Sequence, residues 1–384
     1  MERLRASIKP ELLIWARSSS GLDFTSAATK IGVKEETLSD WEAGRAQPTI
    51  RQLREAARVY RRPSVAFFLP GPPREVPMPI DFRLVQGSTG GALSPRAIVE
   101  IRLARRRREL ALDLSQILDL SVPEEYAFAE LAEDPEILAN QERGRINVET
   151  EQLSSLRSSA EALSFWKRTL ERIGVLVFQC TRVKTEELRA FSIAELPLPA
   201  IVLNPKDAEN ARIFSLFHEY CHIMLKMGKL CDPYLTSSNL ELQRIEVFCN
   251  HFAGAFLAPA EEVVRDQSFF DLENNPASDL TISSAARKYK VSREVILRRL
   301  LTLNLVGQQF YDAKVAAIRS ESVVSKSKEE MAIPVHLQAL ARNGRQFSTL
   351  VLRSYNEKKI SLAEASEYLG LRIQHIHRLQ SELF

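Results

Sequence analysis

The stretch FSLFHEYCHIML, residues 214–225, decides how the central part of this chain folds. His218, Glu219 and His222 form an H-E-x-x-H pattern among apolar neighbours, which predicts a helix that is buried nearly all round. Residues four apart lie on nearly the same side of a helix, so the two imidazoles can face one ion. Glu219 lies one step round the helix, beside the position where a water molecule would complete the coordination. A carboxylate there can accept a proton from that water, which makes Glu219 the candidate catalytic base.

Two buried histidines and a buried carboxylate need partners or a metal ion, and a hydrolytic metal site needs a third protein ligand. The helix predicted next, ELQRIEVFCNHFAGAFLAP at 241–259, offers two carboxylates, Glu241 and Glu246. Glu246 is the one that enters the apolar section of this helix. A set of two histidines and one glutamate leaves one coordination position open, which is typical of a hydrolytic centre. The alternative interpretation is a degenerate, non-catalytic centre.

The N-terminal part of the chain contains a second motif, AATKIGVKEETLSDWEAGRAQPT at 27–49. Ala27 and Ala28 allow two helices to cross closely, Gly32 forms the turn between them, and Leu38 and Trp41 follow at core spacing. A plain helical bundle is the alternative to a DNA-reading helix pair. The polar side chains expected on the outward, major-groove face, and therefore the predicted DNA-binding residues, are Lys34, Glu35, Thr37, Ser39, Asp40 and Arg45.

The segment WEAGRAQP at 41–48 is similar to the hallmark of the Cro/C1-type (XRE) helix-turn-helix, and the resemblance covers about residues 8–69. It implies a five-helix DNA-binding domain that acts as a homodimer on operator DNA. The central region, from about 160 to 265, resembles the ImmA/IrrE metallopeptidases, whose second helix here reads EVFCNHFAGAFLAP. This resemblance implies a zincin-like domain in which Glu246 is the third metal ligand after His218 and His222. The implied ion is Zn²⁺, with Mn²⁺ as the alternative.

Two cysteines depart from the family pattern without removing a ligand: Cys221 stands where glycine is common, and Cys249 where alanine is usual. Packing is the favoured interpretation of Cys221, and sensitivity of the site to oxidation is the other. His251 could hydrogen-bond in the site or lie elsewhere in the core or at the surface. PIDFR, at 79–83, also resembles a segment of family members that carry an XRE domain.

The predicted fold class is mainly α with a small β-sheet (α+β). Strands are expected within 174–179, 188–194 and 199–205, and helices over 95 to about 120, onward to about 172, and over 207–228, 241–257 and 260–267. The expected domains are an XRE-type helix-turn-helix domain (1–69), a Pro-rich linker (70–95), a helical connector (96–158), a peptidase domain (159–268), a helix-turn-helix-like module (269–310) and a C-terminal helical module (311–384).

Three segments repeat the scheme of a helix, a tight turn and a second helix; the later two lie at 281–306 and 360–384. The first of these two has a core of Val291, Val295, Ile296 and Leu300. Its basic residues are Arg287, Lys288, Lys290, Arg293, Arg298 and Arg299. DNA binding, packing on the peptidase and contact with a substrate stay open for this module. His375 and His377 point apart at a spacing of two and are interpreted as structural. The run Arg105–Arg108 is expected to form a solvated helix face rather than a phosphate site.

Composition restricts the class of protein. The chain has 384 residues, 45% hydrophobic and 26% charged, with a net charge of +3, which is typical of a protein with two or three globular domains. No run of 18 apolar residues predicts a membrane span, and the N-terminus does not resemble a signal peptide. The four cysteines show no C-x-x-C pairing, so we expect reduced thiols in a cytoplasmic protein.

An XRE-type reader joined to such a peptidase predicts a transcriptional regulator. The family resemblance implies that its zinc-dependent endopeptidase cleaves an XRE-type repressor protein, or the chain itself. The alternative is an XRE-family antitoxin or autorepressor, in which the peptidase fold is a scaffold that binds a toxin partner. A digestive protease is disfavoured by the DNA reader.

Overall fold

Helices dominate the computed structural model of the protein, which describes residues 5–73, 93–148, 152–153, 155–181, 183–227, 239–266, 278–324 and 333–384. Most of the predicted Pro-rich linker at 70–95, including PIDFR, and Cys231 lie outside the described residues. The chain divides into a first unit, which ends at Leu103, and a second unit whose main part begins at Ala104. The mainly α fold class with one small sheet is confirmed.

Four α-helices and a 3₁₀ helix form most of the first unit: α1 (Pro10–Ser19), α2 (Phe24–Ile31), α3 (Glu35–Glu42), α4 (Ile50–Tyr60) and the 3₁₀ helix Ser64–Phe68. Their apolar sides meet in one core that includes Leu38 and Trp41, as predicted. The sequence fixes the helix ends locally, because Asp23 accepts a hydrogen bond from the Ser26 amide and Thr49 forms a capping box with Gln52. These elements confirm the five-helix prediction.

The second unit contains most of the helices and the sheet. Its elements are the greater part of α5 (Pro95–Ile117), then α6 (Pro135–Arg145), α7 (Ser159–Arg172), β1 (Leu176–Gln179), β2 (Ala190–Ile193), β3 (Ala200–Leu203), α8 (Glu209–Met227), α9 (Asn239–Leu257), α10 (Ala260–Arg265), α11 (Asp279–Lys288), α12 (Arg293–Thr302), α13 (Gln308–Val324), α14 (Val335–Asn343), α15 (Arg345–Asn356), α16 (Leu362–Leu369), the 3₁₀ helix Ile373–His375 and α17 (Ile376–Leu383).

The three strands fall where the sequence predicts them. They are ordered β1-β3-β2, with β1 parallel and β2 antiparallel to the central β3. All their residues are buried, which explains why they are continuous apolar runs rather than alternating ones. Helix α8 packs on this sheet through β2 and β3, and this contact holds the H-E-x-x-H helix in place.

An aromatic cluster joins α7, α8 and α9. Trp166 meets Phe217 edge-on with ring centroids 4.7 Å apart, and Phe217 stacks on Phe256 at 4.2 Å. All three side chains are fully buried. Large buried aromatic side chains contribute strongly to core packing, so this cluster fixes the two helices that carry the predicted metal ligands against each other.

The prediction of helices onward to about residue 172 holds for α6 and α7 but not for residues 118–134, which form no helix. Asp119 takes a left-handed φ of 50° and Pro123 follows, so the helix cannot continue. The segment instead contacts the core in irregular conformation. The amide of Ala129 donates to the carbonyl of Met224 at 3.2 Å, and the Tyr126 hydroxyl accepts from the Leu198 amide at 3.0 Å.

The run Arg105–Arg108 does not form the solvated face that we predicted. The Arg106 side chain is 61% exposed, but those of Arg105 and Arg108 are only 15% and 10% exposed. Arg108 donates to the carbonyls of Glu195, Pro197 and Leu198 in the β2–β3 connection. Arg107 is also buried and stacks over Phe178, with its guanidinium carbon 5.6 Å from the ring centroid. The arginines therefore anchor α5 to the sheet region.

The C-terminal helices pack on the sheet through a close backbone approach. Gly344 joins α14 to α15 with φ 74° and ψ 159°, and a Cβ there would lie 2.3 Å from the carbonyl oxygen of Val177 in β1. The Glu171 carboxylate accepts from the amide of Arg345 at 3.0 Å. Phe347 meets Phe178 edge-on at 6.1 Å. The C-terminal helices thus pack on the sheet as part of the second unit.

The repeated helix–turn–helix scheme is present three times, in α2–α3, α11–α12 and α16–α17. One residue in each turn is left-handed: Gly32 (φ 79°), Lys290 (φ 55°) and Gly370 (φ 57°). The apolar residue that follows is buried in the second and third copies, as Val291 and Leu371. A side chain at a left-handed position costs conformational energy, so Lys290 is the unusual member of the three.

Candidate metal centre

Two helices bring the predicted metal ligands together. His218 and His222 lie one turn apart on α8, and their Nε2 atoms are 3.1 Å apart. The Glu246 carboxylate, on α9, lies 3.4 Å from Nε2 of His218 and 3.2 Å from Nε2 of His222. One ligand atom from each residue lies within 4.8 Å of the others. Among the described residues no other group of this kind occurs, and Glu241, the other candidate carboxylate, is not part of it.

Burial makes a charge in this group costly unless it has a partner. His218 and His222 are 0% and 3% exposed, whereas the Glu246 side chain is 38% exposed, so the group opens to solvent on the Glu246 side. Burial acts to raise the pKa of Glu246, but hydrogen bonds with His218 and His222 outweigh it and hold the pKa well below its usual range. The carboxylate is therefore an anion beside two imidazole nitrogens.

The residues fit a divalent cation. Two imidazole nitrogens and a carboxylate oxygen converge on one small volume, and this donor set is the one that binds Zn²⁺ in hydrolytic centres. A divalent cation held by these three residues would give the two buried imidazole nitrogens, 3.1 Å apart, a partner.

Glu219 is also at the centre but does not join the three ligand residues. It is 1% exposed and close enough to His222 for its charge to raise the pKa of that imidazole. Glu219 is therefore buried close to His222 and lies outside the group of three possible ligands.

The two unusual cysteines lie behind the ligands. The Cys249 thiol hydrogen-bonds with both Cys221 and His222, and burial raises the pKa of this thiol well above its ordinary value. Cys221 is fully buried in the same core. Cys180, Cys221 and Cys249 are all free thiols, in agreement with the expectation of reduced cysteines for these three. Their burial agrees with the packing interpretation of Cys221.

Helix α6 supports α8 from the side. The Tyr220 hydroxyl, in the middle of H-E-x-x-H, donates to the Glu142 carboxylate at 2.6 Å and accepts from Arg145 at 3.0 Å. Arg143, buried on the same helix, donates to the Phe256 carbonyl of α9 at 2.7 Å. These contacts tie α6 to both ligand-bearing helices and limit how far the two helices can separate.

A charged cluster that the sequence did not predict lies on the other side of α9. Glu136 of α6 pairs with His251 of α9, with 2.7 Å between Oε1 and Nε2, and with the guanidinium of Arg299 of α12. Arg299 also donates to the Ala258 carbonyl at 2.9 Å. His251 therefore has a structural contact with Glu136 and is not part of the metal group.

Arg299 is one of the residues that we expected to make the 281–306 module basic. It is only 1% exposed, so its charge lies in the core rather than on the surface of the module. Gly254 gives it room, since a Cβ at that position would lie 3.1 Å from Cδ of Arg299. The run EVILRRLL contains two arginines, Arg298 and Arg299, and its apolar residues were the available signal that one of them is buried. Ile296 and Leu300 join the core of the peptidase region, which supports the interpretation that this module packs on the peptidase.

The predicted DNA-binding residues surround α3. Lys34, Glu35 and Arg45 are exposed, while Thr37, Ser39 and Asp40 are half-buried. The Arg45 guanidinium donates to Asp40 at 2.8 Å and to Ser39 at 3.3 Å, so these three side chains are held together at the end of α3. Arg17 fixes α3 from behind through two hydrogen bonds to Glu42, at 2.7 and 2.9 Å.

Comparison with known families finds two matching domains. Residues 170–301 match the profile of the IrrE N-terminal-like domain, a peptidase family, and residues 11–66 match the profile of a helix-turn-helix domain. No curated protein matches this chain. The peptidase profile begins within α7 and ends within α12, so it includes the whole metal group and, of the charged cluster, His251 and Arg299 but not Glu136.

The chain therefore joins a helix-turn-helix DNA-binding domain to an IrrE/ImmA-like peptidase domain, and both resemblances seen in the sequence are confirmed. Peptidases of this family are metal-dependent, and the group of His218, His222 and Glu246 is a possible site for the ion. Among the described residues no helix is long and apolar enough to cross a membrane.

Proposed function

We propose that the protein is a transcriptional regulator whose zinc-dependent endopeptidase domain cleaves a repressor protein of the XRE type, or the chain itself. The observation that carries this proposal is the convergence of His218, His222 and Glu246, with Glu219 buried beside them. In the proposed roles these three residues hold Zn²⁺ and Glu219 is the catalytic base. Three ligands leave a position open, which a hydrolytic centre requires and a structural centre does not.

The ion supplies Lewis acidity when it is bound, which makes a water molecule more acidic and polarises the carbonyl of the scissile peptide bond. The Glu219 carboxylate accepts a proton from the attacking water. A carbon–oxygen bond forms at the carbonyl carbon, and the carbon–nitrogen bond then breaks. Glu219 passes its proton to the departing amine nitrogen, so the carboxylate is restored for the next cycle.

The DNA-binding domain supports a regulatory role. Lys34, the N-cap of α3, and Glu35, in its first turn, are exposed, Thr37 is half-buried, and Arg45 lies just beyond the end of the helix. Side chains in these positions contact bases and phosphates when a recognition helix enters the major groove. A homodimer on a palindromic operator is the proposed form, with half-sites about one helical turn of DNA apart. The regulator would then bind its protein substrate at, or close to, the promoter.

The test is cleavage of an epitope-tagged XRE-type repressor from the same genome, co-expressed with the wild type, with Glu219→Gln or with Glu241→Gln. Glu219→Gln keeps the size of the side chain and all three ligands but removes the base, so we expect cleavage to slow by about 100-fold or more. Glu241→Gln is the matched control, since Glu241 is outside the metal group. Intact-mass measurement of the regulator follows self-cleavage in the same samples.

Equal cleavage by the wild type and Glu219→Gln, with zinc retained in both, would contradict the peptidase proposal. An antitoxin or autorepressor makes a different set of predictions. The purified wild type would hold no metal, neither substrate would be cut, and the protein would bind both its own promoter and a toxin from the adjacent gene.

A further inference from the structure

A polar cleft of about 420 Å³ lies in the second unit. Its walls come from the residues that lead into α7, the first turn of α8, and the α11–α12 turn. Four cationic side chains line it, one from the residues before α7 and three from the α11–α12 region: Arg157, Arg287, Lys290 and Arg293. None of its lining residues, all of which the structure describes, has a carboxylate. The cleft is therefore a concentration of positive charge.

Three of the four cationic side chains have no acidic partner among the described residues. No ion pair within the described residues involves Arg157, Arg287 or Lys290, and four further lining residues are neutral serines. The carboxylate of Glu161 lies close by, where it accepts from the backbone amide of Arg157 at 2.8 Å. Like charges gathered in one concave place repel each other, and an anion bound among them would remove that repulsion.

Two helix N-termini add to the positive potential of the cleft. Ser158 is the N-cap of the 14-residue α7 and Ser292 is the N-cap of the 10-residue α12, and both serines line the cleft. The partial positive charge at a helix N-terminus favours a nearby anion. These dipoles reinforce the four cationic side chains, which carry the argument.

We propose that this cleft binds a small phosphorylated molecule through at least two of its phosphate groups. The volume lies within the usual range for small-ligand sites, roughly 300–1,000 Å³. No aromatic residue lines it, so recognition rests on phosphate oxygens rather than on stacking against a base. The charge of four cations matches that of a diphosphate better than that of a single phosphate. Arginine is also well suited to bind a phosphate group, because it can donate two parallel hydrogen bonds to it.

The cleft is separate from the metal centre but touches the same helix. Asn210, in the first turn of α8, lines the cleft and donates to the Val291 carbonyl of the α11–α12 turn at 3.0 Å. Eight residues separate Asn210 from His218, which corresponds to about 12 Å along the helix axis. A ligand here would therefore bind without touching the metal ligands. The binding proposal goes beyond the peptidase proposal and does not depend on it.

Titration calorimetry of the full-length protein with inorganic pyrophosphate tests the site. Lys290→Gly is the main variant, because it removes the ammonium group while glycine suits the left-handed φ of 55° at this turn. The variant should fold at least as well as the wild type, so a loss of binding cannot be ascribed to unfolding. We expect the dissociation constant to rise by at least about tenfold, the usual effect of losing one charge-assisted hydrogen bond.

Arg168→Ala is the matched control, since Arg168 is exposed on α7 and does not line the cleft. It removes the same charge and should leave pyrophosphate affinity unchanged. Pyrophosphate bound equally by the wild type and Lys290→Gly, as binding only to the metal ion would give, would overturn the proposal. A wild type that does not bind pyrophosphate would also overturn it. So would a Lys290→Gly variant that loses affinity for a DNA duplex but keeps its affinity for pyrophosphate.

Discussion

Removal of the Arg299 guanidinium should destabilise the peptidase domain strongly. This side chain is 2% exposed and bonds to both oxygens of Glu136 and to the Ala258 carbonyl. Arg299→Met keeps much of the apolar length of the side chain but leaves the Glu136 charge with His251 as its remaining described partner. Removing one partner of a buried ion pair costs about 3–5 kcal/mol. Because the Glu136 side chain is 22% exposed, we expect the lower end of this range, about 3 kcal/mol.

Urea unfolding followed by circular dichroism measures this cost in the full-length protein. Arg298→Met is the matched control, because Arg298 is an exposed neighbour whose guanidinium carbon lies 4.3 Å from the Tyr311 ring centroid. Losing such an exposed contact should cost less than about 1 kcal/mol. Combining Arg299→Met with Glu136→Gln should recover part of the loss, since no buried charge is then left unpaired. A cost below about 1 kcal/mol for Arg299→Met, or no recovery in the double variant, would refute this role of the cluster.

Three further predictions concern other parts of the chain. Gly344→Ala should lower the free energy of unfolding in urea by more than about 3 kcal/mol, because its Cβ would lie 2.3 Å from the Val177 carbonyl oxygen and its φ and ψ suit only glycine. Gly144→Ala is the control: nothing lies near its Cβ, so this change should be neutral or slightly stabilising. Burial acts to raise the pKa of Glu136, but hydrogen bonds from His251 and Arg299 lower it from 4.5 to about 2. Its contribution to stability should therefore be complete above about pH 4.5 and lost as the pH falls towards 2, and Glu136→Gln should flatten that part of the stability profile. Lys34→Ala should weaken binding to all DNA sequences alike and lower the salt slope by about 1 in a fluorescence titration, and a loss confined to one sequence would contradict a phosphate contact.

The sequence predicts those elements whose causes are local. The H-E-x-x-H spacing places His218 and His222 on one side of a helix by geometry alone, and the apolar runs of the sheet are readable without knowledge of their partners. The turns at Gly32 and Gly370 are equally local, since glycine suits a left-handed residue at each. The convergence of Glu246 with the histidines depends on packing, and the family resemblance, not periodicity, indicated it.

The two wrong predictions about arginines have a common physical cause, because the partners that bury each arginine lie far away in sequence. Arg108 is held by carbonyls almost 90 positions later, and Arg299 pairs with a glutamate 163 positions earlier. A run of arginines looks the same in sequence whether water or such carbonyls surround it. Asp119 and Pro123 did signal a break in the helix at 118–134, and the apolar residues around them concealed it.

Zinc content is the most direct measure of whether the three convergent residues form a metal centre. Purified wild type and Glu246→Gln, both dialysed without chelator, are analysed for bound metal by mass spectrometry, with Glu241→Gln as the matched control. We expect about one zinc ion per chain in the wild type and in the control. Glu246→Gln should lose most of its zinc, because it replaces the carboxylate of one of three ligands by a neutral amide, which weakens a zinc site strongly. A wild type without metal, or a Glu246→Gln variant with as much zinc as the wild type, would contradict the assignment of the centre.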